Sequence, residues 1–182
     1  MIRKLIVLAA VLTLFCGFGA AKKLTLLSFN KGEMADDNSN AQVSLSEENV
    51  EKAGDFSMKV EFGAKTATSG SYIAVFKPKK GAWNAYTNAK MIIYNPSDKE
   101  VKIGWMIKGA KNTNTPENRK DWPLTLKPGK NDIDIKISGV TCNDEKSILD
   151  LSSIFIYGFW NLTMDQPVTV YFSKLYLENS EK

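Results

Sequence analysis

The feature that most constrains the fold is an alternation of apolar and polar residues that recurs along the chain. It is clearest in residues 56–62, and residues 101–108 and 132–137 repeat it. A β-strand turns successive side chains to opposite faces, so a period of two predicts strands with one buried face. Turn sequences at 95–98 and 127–131 separate such stretches. We therefore expect an all-β fold of about ten short strands, a two-sheet antiparallel β-sandwich or a barrel.

The same alternation assigns some bulky residues to the core. Trp105 shares the parity of Ile103 and Ile107, so we expect it to face inward. Trp83 is also expected in the core, because large aromatic residues commonly anchor loops of a sandwich. In residues 168–177 the apolar parity changes, which predicts either a bulge near Ser173 or a strand covered on both faces.

Residues 1–21 have the pattern of a secretion signal. Arg3 and Lys4 precede an apolar stretch over residues 5–15, and small residues follow as far as Ala21. The apolar stretch is shorter than the roughly 20 residues of a membrane span. We therefore predict a signal peptide at 1–21 and a single β-sandwich domain at 22–182, secreted or periplasmic, with no membrane span once the signal is removed.

The composition excludes several classes of function. The chain has no histidine, which rules out Ser-His-Asp and Cys-His catalysis and the usual zinc and copper sites. Cys16 lies in the signal, so Cys142 remains alone, and we expect it to be a partly buried free thiol. There are 24 Lys and Arg against 20 Asp and Glu, and loss of Arg3 and Lys4 with the signal would leave a net charge of only +2. Without a basic stripe, nucleic acid is not an expected partner.

Catalysis by two carboxylates survives these exclusions, because a glycosidase needs only a pair of acids beside the sugar. The acidic candidates lie in polar segments with the character of loops, where charges are usually solvated: Asp36, Asp37, Glu47, Glu48, Glu51, Asp144 and Glu145. Nothing in their surroundings marks one of them for a raised pKa. We therefore predict that the protein is not an enzyme and has no catalytic residues.

Short motifs along the chain carry a resemblance to a known family. A first strand ends at Asn30, residues 53–60 carry a glycine followed by a strand, and residues 81–86 contain Trp83 and Tyr86. Residues 124–135 and 168–177 complete the order. This succession resembles the galactose-binding-like jelly-roll carbohydrate-binding modules of secreted bacterial proteins. The resemblance implies an exported, non-catalytic binding protein whose partner is a polysaccharide or oligosaccharide.

The resemblance also raises the question of a calcium ion. Those modules commonly hold a structural calcium, in part through an aspartate in the last strand, where this chain has Ser173. A hydroxyl is a poor replacement for a carboxylate toward a hard cation. Asn30 and Glu33 remain possible oxygen donors. We therefore expect no cofactor, with calcium as the alternative.

Sugar-binding faces use aromatic rings as flat apolar platforms, with polar groups placed to bind hydroxyls. Trp122 and Arg119 stand together at the end of the polar stretch 109–121, just before a predicted strand. If Ile154 and Ile156 face inward, Tyr157 and Phe159 lie on the outer face of their sheet. The predicted ligand-binding residues are Arg119, Trp122, Tyr157, Phe159, Trp160 and Lys102.

Other hypotheses stay open at this point. The exposed rings could instead be an interface, which would make the protein a structural or interaction sandwich of the periplasm or cell surface that binds another exported protein. Packing of the rings beneath a loop, with no ligand at all, is a further possibility. A hydrolase using two carboxylates is the third.

Overall fold

The computed structural model describes residues 22–66, 70–78, 82–109, 114–163 and 165–179. The predicted secretion signal at 1–21, including Cys16, lies outside the described residues and stays a prediction. Across the described ranges, no helix has the length and apolar character needed to cross a bilayer.

The described chain forms strands with two short 3-10 helices, Phe29–Lys31 and Pro116–Asn118. The strands are β1 (Lys23–Thr25), β2 (Asp37–Ser39), β3 (Ala41–Ser46), β4 (Ser57–Phe62), β5 (Tyr72–Phe76), β6 (Asn88–Asn95), β7 (Val101–Lys108), β8 (Arg119–Leu126), β9 (Gly129–Lys136), β10 (Ile156–Asn161) and β11 (Val168–Glu178). The expectation of an all-β fold is confirmed.

Two antiparallel sheets face each other. One has the order β3-β4-β11-β6-β9, with β1 also paired to β11, and the other has the order β2-β5-β10-β7-β8. The strand β10 therefore lies at the centre of the five-stranded sheet, between β5 and β7. Of the two architectures that the sequence allows, the structure has the β-sandwich.

The apolar parity of each strand faces the space between the sheets. Met58, Val60 and Phe62 of β4 are buried, as are Ile103 and Trp105 of β7. Removing this apolar surface from water is the main stabilisation of a sandwich without a disulfide. The assignments of Trp105 and Trp83 to the core are confirmed, because both side chains are fully buried.

Two local expectations are also tested. The pairing of β11 with β6 shifts register between Phe172 and Lys174, which confirms a bulge at Ser173. Cys142 is a free and fully buried cysteine, more deeply buried than expected. Burial, followed by the charge of Asp144, raises the pKa of its thiol, so this side chain is part of the core rather than a nucleophile.

Candidate functional site

A groove of about 510 Å³ runs over the outer face of the five-stranded sheet. Its walls and floor come mainly from three neighbouring strands, β5, β10 and β7, together with Arg119 at the start of β8 and loop residues that include Lys65 and Asn114. The outward positions that matter most are Tyr72, Ala74, Phe76, Gly158, Trp160, Met106, Lys108 and Arg119. The inward positions of the same strands fill the core, so one alternation builds both the core and the groove.

Two exposed aromatic rings stand along β5. Tyr72 is 39% exposed and Phe76 is 41% exposed, and both belong to the outward parity of the strand. Four residues of extended chain separate them, which places them about 13 Å apart. Between them lie Ala74 and its registered partner Gly158 on β10. Because these two side chains are minimal, the floor between the rings is shallow and open.

The two rings are fixed by contacts at their edges. The Tyr72 hydroxyl donates a hydrogen bond to Asp37 Oδ2 at 3.3 Å. Partial burial, followed by the Asp37 charge, raises the pKa of that hydroxyl, so Tyr72 is neutral at physiological pH. The Phe76 ring meets Phe155 edge to face, with 5.9 Å between the ring centroids. The rings are therefore held in place before any ligand arrives.

A third ring, that of Trp160, reaches over the neighbouring strand β7. Its indole fills the space that a Cβ at Gly104 would take on the neighbouring strand β7. Trp160 is registered with Gly104 of β7 on one side and with Tyr72 of β5 on the other. The absence of a side chain at position 104 therefore lets a half-buried indole form part of the groove.

Two cations close one end of the groove. The Arg119 guanidinium lies over the Trp160 ring, 5.8 Å from its centroid. Arg119 Nε donates to Asp121 Oδ1 at 2.7 Å. Lys108, the registered partner of Arg119, is only 8% exposed. Burial, followed by the charge of Arg119, lowers the pKa of the Lys108 ammonium.

The structure brings together two of the six predicted ligand-binding residues, Arg119 and Trp160. Trp122 does not border the groove: its ring stacks on buried Trp105, with 4.7 Å between the centroids, on the inner side of β7 and β8. Lys102 is exposed and on the outward parity of β7, but it also lies outside the groove walls. Arg119 and Trp122 belong to strand β8, not to the polar stretch before it.

The prediction that Tyr157 and Phe159 lie on the outer face is wrong. Their side chains are 1% and 2% exposed. Tyr157 contacts Trp83, and Phe159 contacts Trp105 on the neighbouring strand β7 and Phe172 of the opposite sheet. Phe159 borders the groove only as a strand residue between outward neighbours.

The error has a physical reason. β10 begins at Ile156, so Ile154 precedes the strand and its burial says nothing about strand parity. Ile156 belongs to the outward parity, although it is covered and only 5% exposed. Two rings with inward parity were thus assigned to the wrong face.

Sequence reasoning missed Tyr72, Phe76 and Lys108. A signal for the two rings was present, because residues 72–76 alternate Tyr, Ala and Phe with Ile and Val. The β-branched pair suits the core, which leaves both rings outside. A second signal was glycine in the middle of two strands, at 104 and 158, since an interior glycine often marks close approach of another group.

The residues considered for calcium do not fit a calcium ion. Asn30 Oδ1 accepts a hydrogen bond from the Phe56 backbone N–H at 2.7 Å, and Asn30 Nδ2 donates to Asp55 Oδ1 at 2.7 Å. Glu33 Oε2 accepts from the Ser28 N–H at 2.9 Å. Within the described residues, no group of three or more acidic or thiol side chains gathers where a metal could bind. Asn30 Oδ1 and Glu33 Oε2 already accept hydrogen bonds from backbone donors, and Ser173 offers a hydroxyl where a carboxylate would be expected, so these side chains provide few of the roughly six to eight oxygens that calcium takes.

The amino-acid sequence matches no family model and no curated protein. The fold, however, has clear counterparts. The family 11 carbohydrate-binding module from Clostridium thermocellum, solved in complex with a beta-1,3-1,4-mixed-linked tetrasaccharide, superposes with a TM-score of 0.66 at 15% identity, over 90% of this chain and 99% of that one. The chain has the jelly-roll fold of carbohydrate-binding modules.

Two further structures share this jelly roll. A family 30 carbohydrate-binding module superposes with a TM-score of 0.53 at 11% identity, over 88% of this chain and 89% of that one. An exo-beta-agarase gives a TM-score of 0.67 at 14% identity, over 87% of this chain but only 25% of the enzyme. The fold thus occurs both as a separate module and as one part of an enzyme. At these identities the likeness concerns the fold, and the function has to be argued from the groove.

Proposed function

We propose that this protein is an exported, non-catalytic carbohydrate-binding module that binds a polysaccharide or oligosaccharide in the groove of the five-stranded sheet. The observation that carries the proposal is the pair of exposed rings, Tyr72 and Phe76, held on either side of a flat floor with Trp160 on the next strand. Rings stack on the C–H faces of sugar units, and the spacing of about 13 Å suits a chain of several linked units. Tyr72, Phe76, Trp160, Met106, Lys108 and Arg119 are the proposed contacts.

The groove supports binding rather than hydrolysis. A glycosidase needs two carboxyl groups flanking the bond that it cleaves. None of the described residues that border the groove is an aspartate or a glutamate. The acidic side chains that contact groove residues are engaged by protein donors: Asp36 by the Phe76 N–H, Asp37 by the Tyr72 hydroxyl and Asp121 by Arg119. A polysaccharide would therefore be held without being cut.

The export that we propose has its own test. A signal at 1–21 would be removed after Ala20 or Ala21, before β1 begins at Lys23. The mature protein, recovered from the secreted or periplasmic fraction, should begin at Ala21 or Lys22 by N-terminal sequencing. Recovery from the cell interior with residues 1–21 intact would contradict this part of the proposal.

The binding test is a panel of soluble polysaccharides in affinity gel electrophoresis. We compare the wild type, the double variant Tyr72→Ala/Phe76→Ala, and Ile148→Ala, which removes an apolar side chain that is 60% exposed and outside the groove. The double variant should bind at least about tenfold more weakly, since each buried ring is worth about 1 kcal/mol or more at an interface. Ile148→Ala should bind like the wild type.

Two results would contradict the proposal. One is retention of the wild type by no polysaccharide. The other is capture of a stable exported protein partner by the wild type but not by the double variant, which would support the interaction hypothesis. The fold comparisons do not favour that alternative.

A further inference from the structure

The cationic end of the groove is built by two registered residues of neighbouring strands. Lys108 is the last residue of β7, and Arg119 is the first residue of β8, directly opposite it. Lys108 is only 8% exposed, and the side chain of Arg119 is 27% exposed. A third cation, Lys65, borders the same groove. A binding surface for neutral sugars alone would have no need for two like charges partly removed from water.

Among the described residues, no acidic side chain forms an ion pair with Lys108, whereas Arg119 is paired with Asp121. Asp121 is already shared, because its second carboxylate oxygen accepts from Asn143 Nδ2 at 3.0 Å. Asp37, on β2, lies three strands from β7, a lateral separation of about 14 Å. The undescribed stretches 67–69 and 110–113 contain no acidic residue in the sequence.

Burial and the neighbouring guanidinium both disfavour the charged form of Lys108, and together they lower its pKa although the charge of Asp121 acts in the opposite direction. A cation taken out of water is costly unless a charge of opposite sign and hydrogen bonds compensate it. The charge of Asp121 favours the Lys108 ammonium in part, but its carboxylate is held by Arg119 and Asn143. A negatively charged group in the groove would meet the Lys108 ammonium and the Nη edge of Arg119, which has no hydrogen-bond partner among the described residues, together.

We infer that the groove binds an acidic polysaccharide, one whose sugar units carry carboxylate or sulfate groups. The anionic group would lie between Lys108 and Arg119, while the sugar faces rest on Trp160 and Tyr72. The contact of Arg119 with the Trp160 ring joins the two parts of the site, since the anion and the sugar that carries it are only a few ångströms apart. This inference rests on the proposed function and specifies the class of its ligand.

The test compares each charged polymer with its neutral counterpart on the wild-type protein. Polygalacturonate is paired with fully methyl-esterified polygalacturonate, and a carrageenan with its desulfated form, by affinity gel electrophoresis and calorimetry. At least one charged polymer should bind about tenfold or more tightly than its neutral form, because a charge-assisted hydrogen bond contributes roughly 1.5–3 kcal/mol. Which pair shows the difference distinguishes a carboxylate from a sulfate ligand.

A pair of lysine variants localises the effect. Lys108→Met removes the buried charge and keeps the length of the side chain, and it should abolish most of the preference for the charged polymer. Lys136→Met removes the same charge from an exposed position of β9 on the other sheet, and it should leave the preference intact. The wild-type comparison stands by itself if Lys108→Met does not fold.

The possible results distinguish the carbohydrate-binding function from the acidic class of its ligand. Binding to neutral polymers alone, lost on removal of Tyr72 and Phe76, would overturn the acidic ligand and leave the carbohydrate-binding function standing. An equal preference in Lys108→Met and the wild type would also overturn it. Binding to no polymer at all would contradict both.

Discussion

The indole of Trp160 lies directly against Gly104 of the adjacent strand, in the space that a side chain at position 104 would fill. This relationship converts a pleated strand surface into a smooth platform. It also makes a residue without a side chain essential to the shape of the groove.

Replacing Gly104 by alanine should displace the Trp160 ring. We expect Gly104→Ala to weaken polysaccharide binding about tenfold with little loss of fold, because the atoms that it meets belong to a side chain that can swing away. The measurement is calorimetry on the best-bound polymer, with near-ultraviolet circular dichroism to follow the indole.

A double-mutant cycle isolates the cause. In the Trp160→Ala background, Gly104→Ala should have almost no further effect on affinity, since it would act only through the ring. Equal losses in both backgrounds would show that Gly104 contributes by some other route.

Removing the hydroxyl groups of two tyrosines should change the free energy of unfolding in different ways. The Tyr157 hydroxyl is buried and has no hydrogen-bond partner among the described residues, whereas the Tyr171 hydroxyl donates to Glu48 Oε2 at 2.7 Å. That hydrogen bond, with burial, raises the pKa of Tyr171 to about 12. Tyr157→Phe should leave the free energy of unfolding unchanged or raise it, and Tyr171→Phe should lower it by about 1 kcal/mol. Urea denaturation measures both, and a large destabilisation by Tyr157→Phe would reveal an unseen partner.

Glu51 should give the protein a pH-dependent part of its stability. A hydrogen bond from the Tyr94 hydroxyl, at 2.7 Å, is the largest cause that lowers the pKa of Glu51 from its ordinary 4.5, and Lys130 adds to it. A carboxyl group whose folded pKa is depressed stabilises the fold above its unfolded pKa and loses that contribution as the pH falls through the folded value. Glu51→Gln should therefore be less stable than the wild type by about 1 kcal/mol at pH 7, with the difference shrinking by pH 3.

The control for this pair is Glu47→Gln, at an exposed position of the same segment. At pH 7 its free energy of unfolding should lie within about 0.5 kcal/mol of the wild type, as for most exposed substitutions. A constant offset for Glu51→Gln between pH 7 and pH 3 would mean that the glutamate acts through packing and not through its charge.

Calcium should not stabilise this protein. The Asn30 carboxamide links Phe56 and Asp55 through two hydrogen bonds of 2.7 Å, which gives this loop a connection made by the protein itself. We expect the melting temperature to be the same in a chelator and in excess calcium. A rise with calcium would show that these side chains rearrange to bind the ion.

The core face of the long alternating strands could be predicted from the sequence, but the core face of β10 could not. The parity of β4 and β7 identified core residues such as Val60 and Trp105 correctly, because long alternation leaves only one apolar face. In β10 both faces are apolar, since it is the central strand and its outward side is covered in part. In β10 the alternation of residue types therefore does not tell which side chains face the core. The structure shows that the strand begins at Ile156, with Trp160 facing out and Phe159 facing in.

Arg119 was found from sequence by its nearness to Trp122, yet it contributes through Trp160, which is distant in the chain. The registers Lys108 with Arg119 and Gly104 with Trp160 join three strands. Such pairings depend on sheet order, which local patterns do not specify. The sequence therefore predicted the type of site, aromatic rings beside a cation, but not most of the residues that form it.

The most direct test of the account follows the indole N–H resonances of the four tryptophans by NMR, each assigned with a Trp→Phe variant, while the best-bound polysaccharide fragment is added. The groove predicts a saturating shift of the Trp160 resonance, with the resonance of buried Trp83 unchanged. A saturating shift of Trp122 with Trp160 unmoved would place the ligand elsewhere and contradict the account.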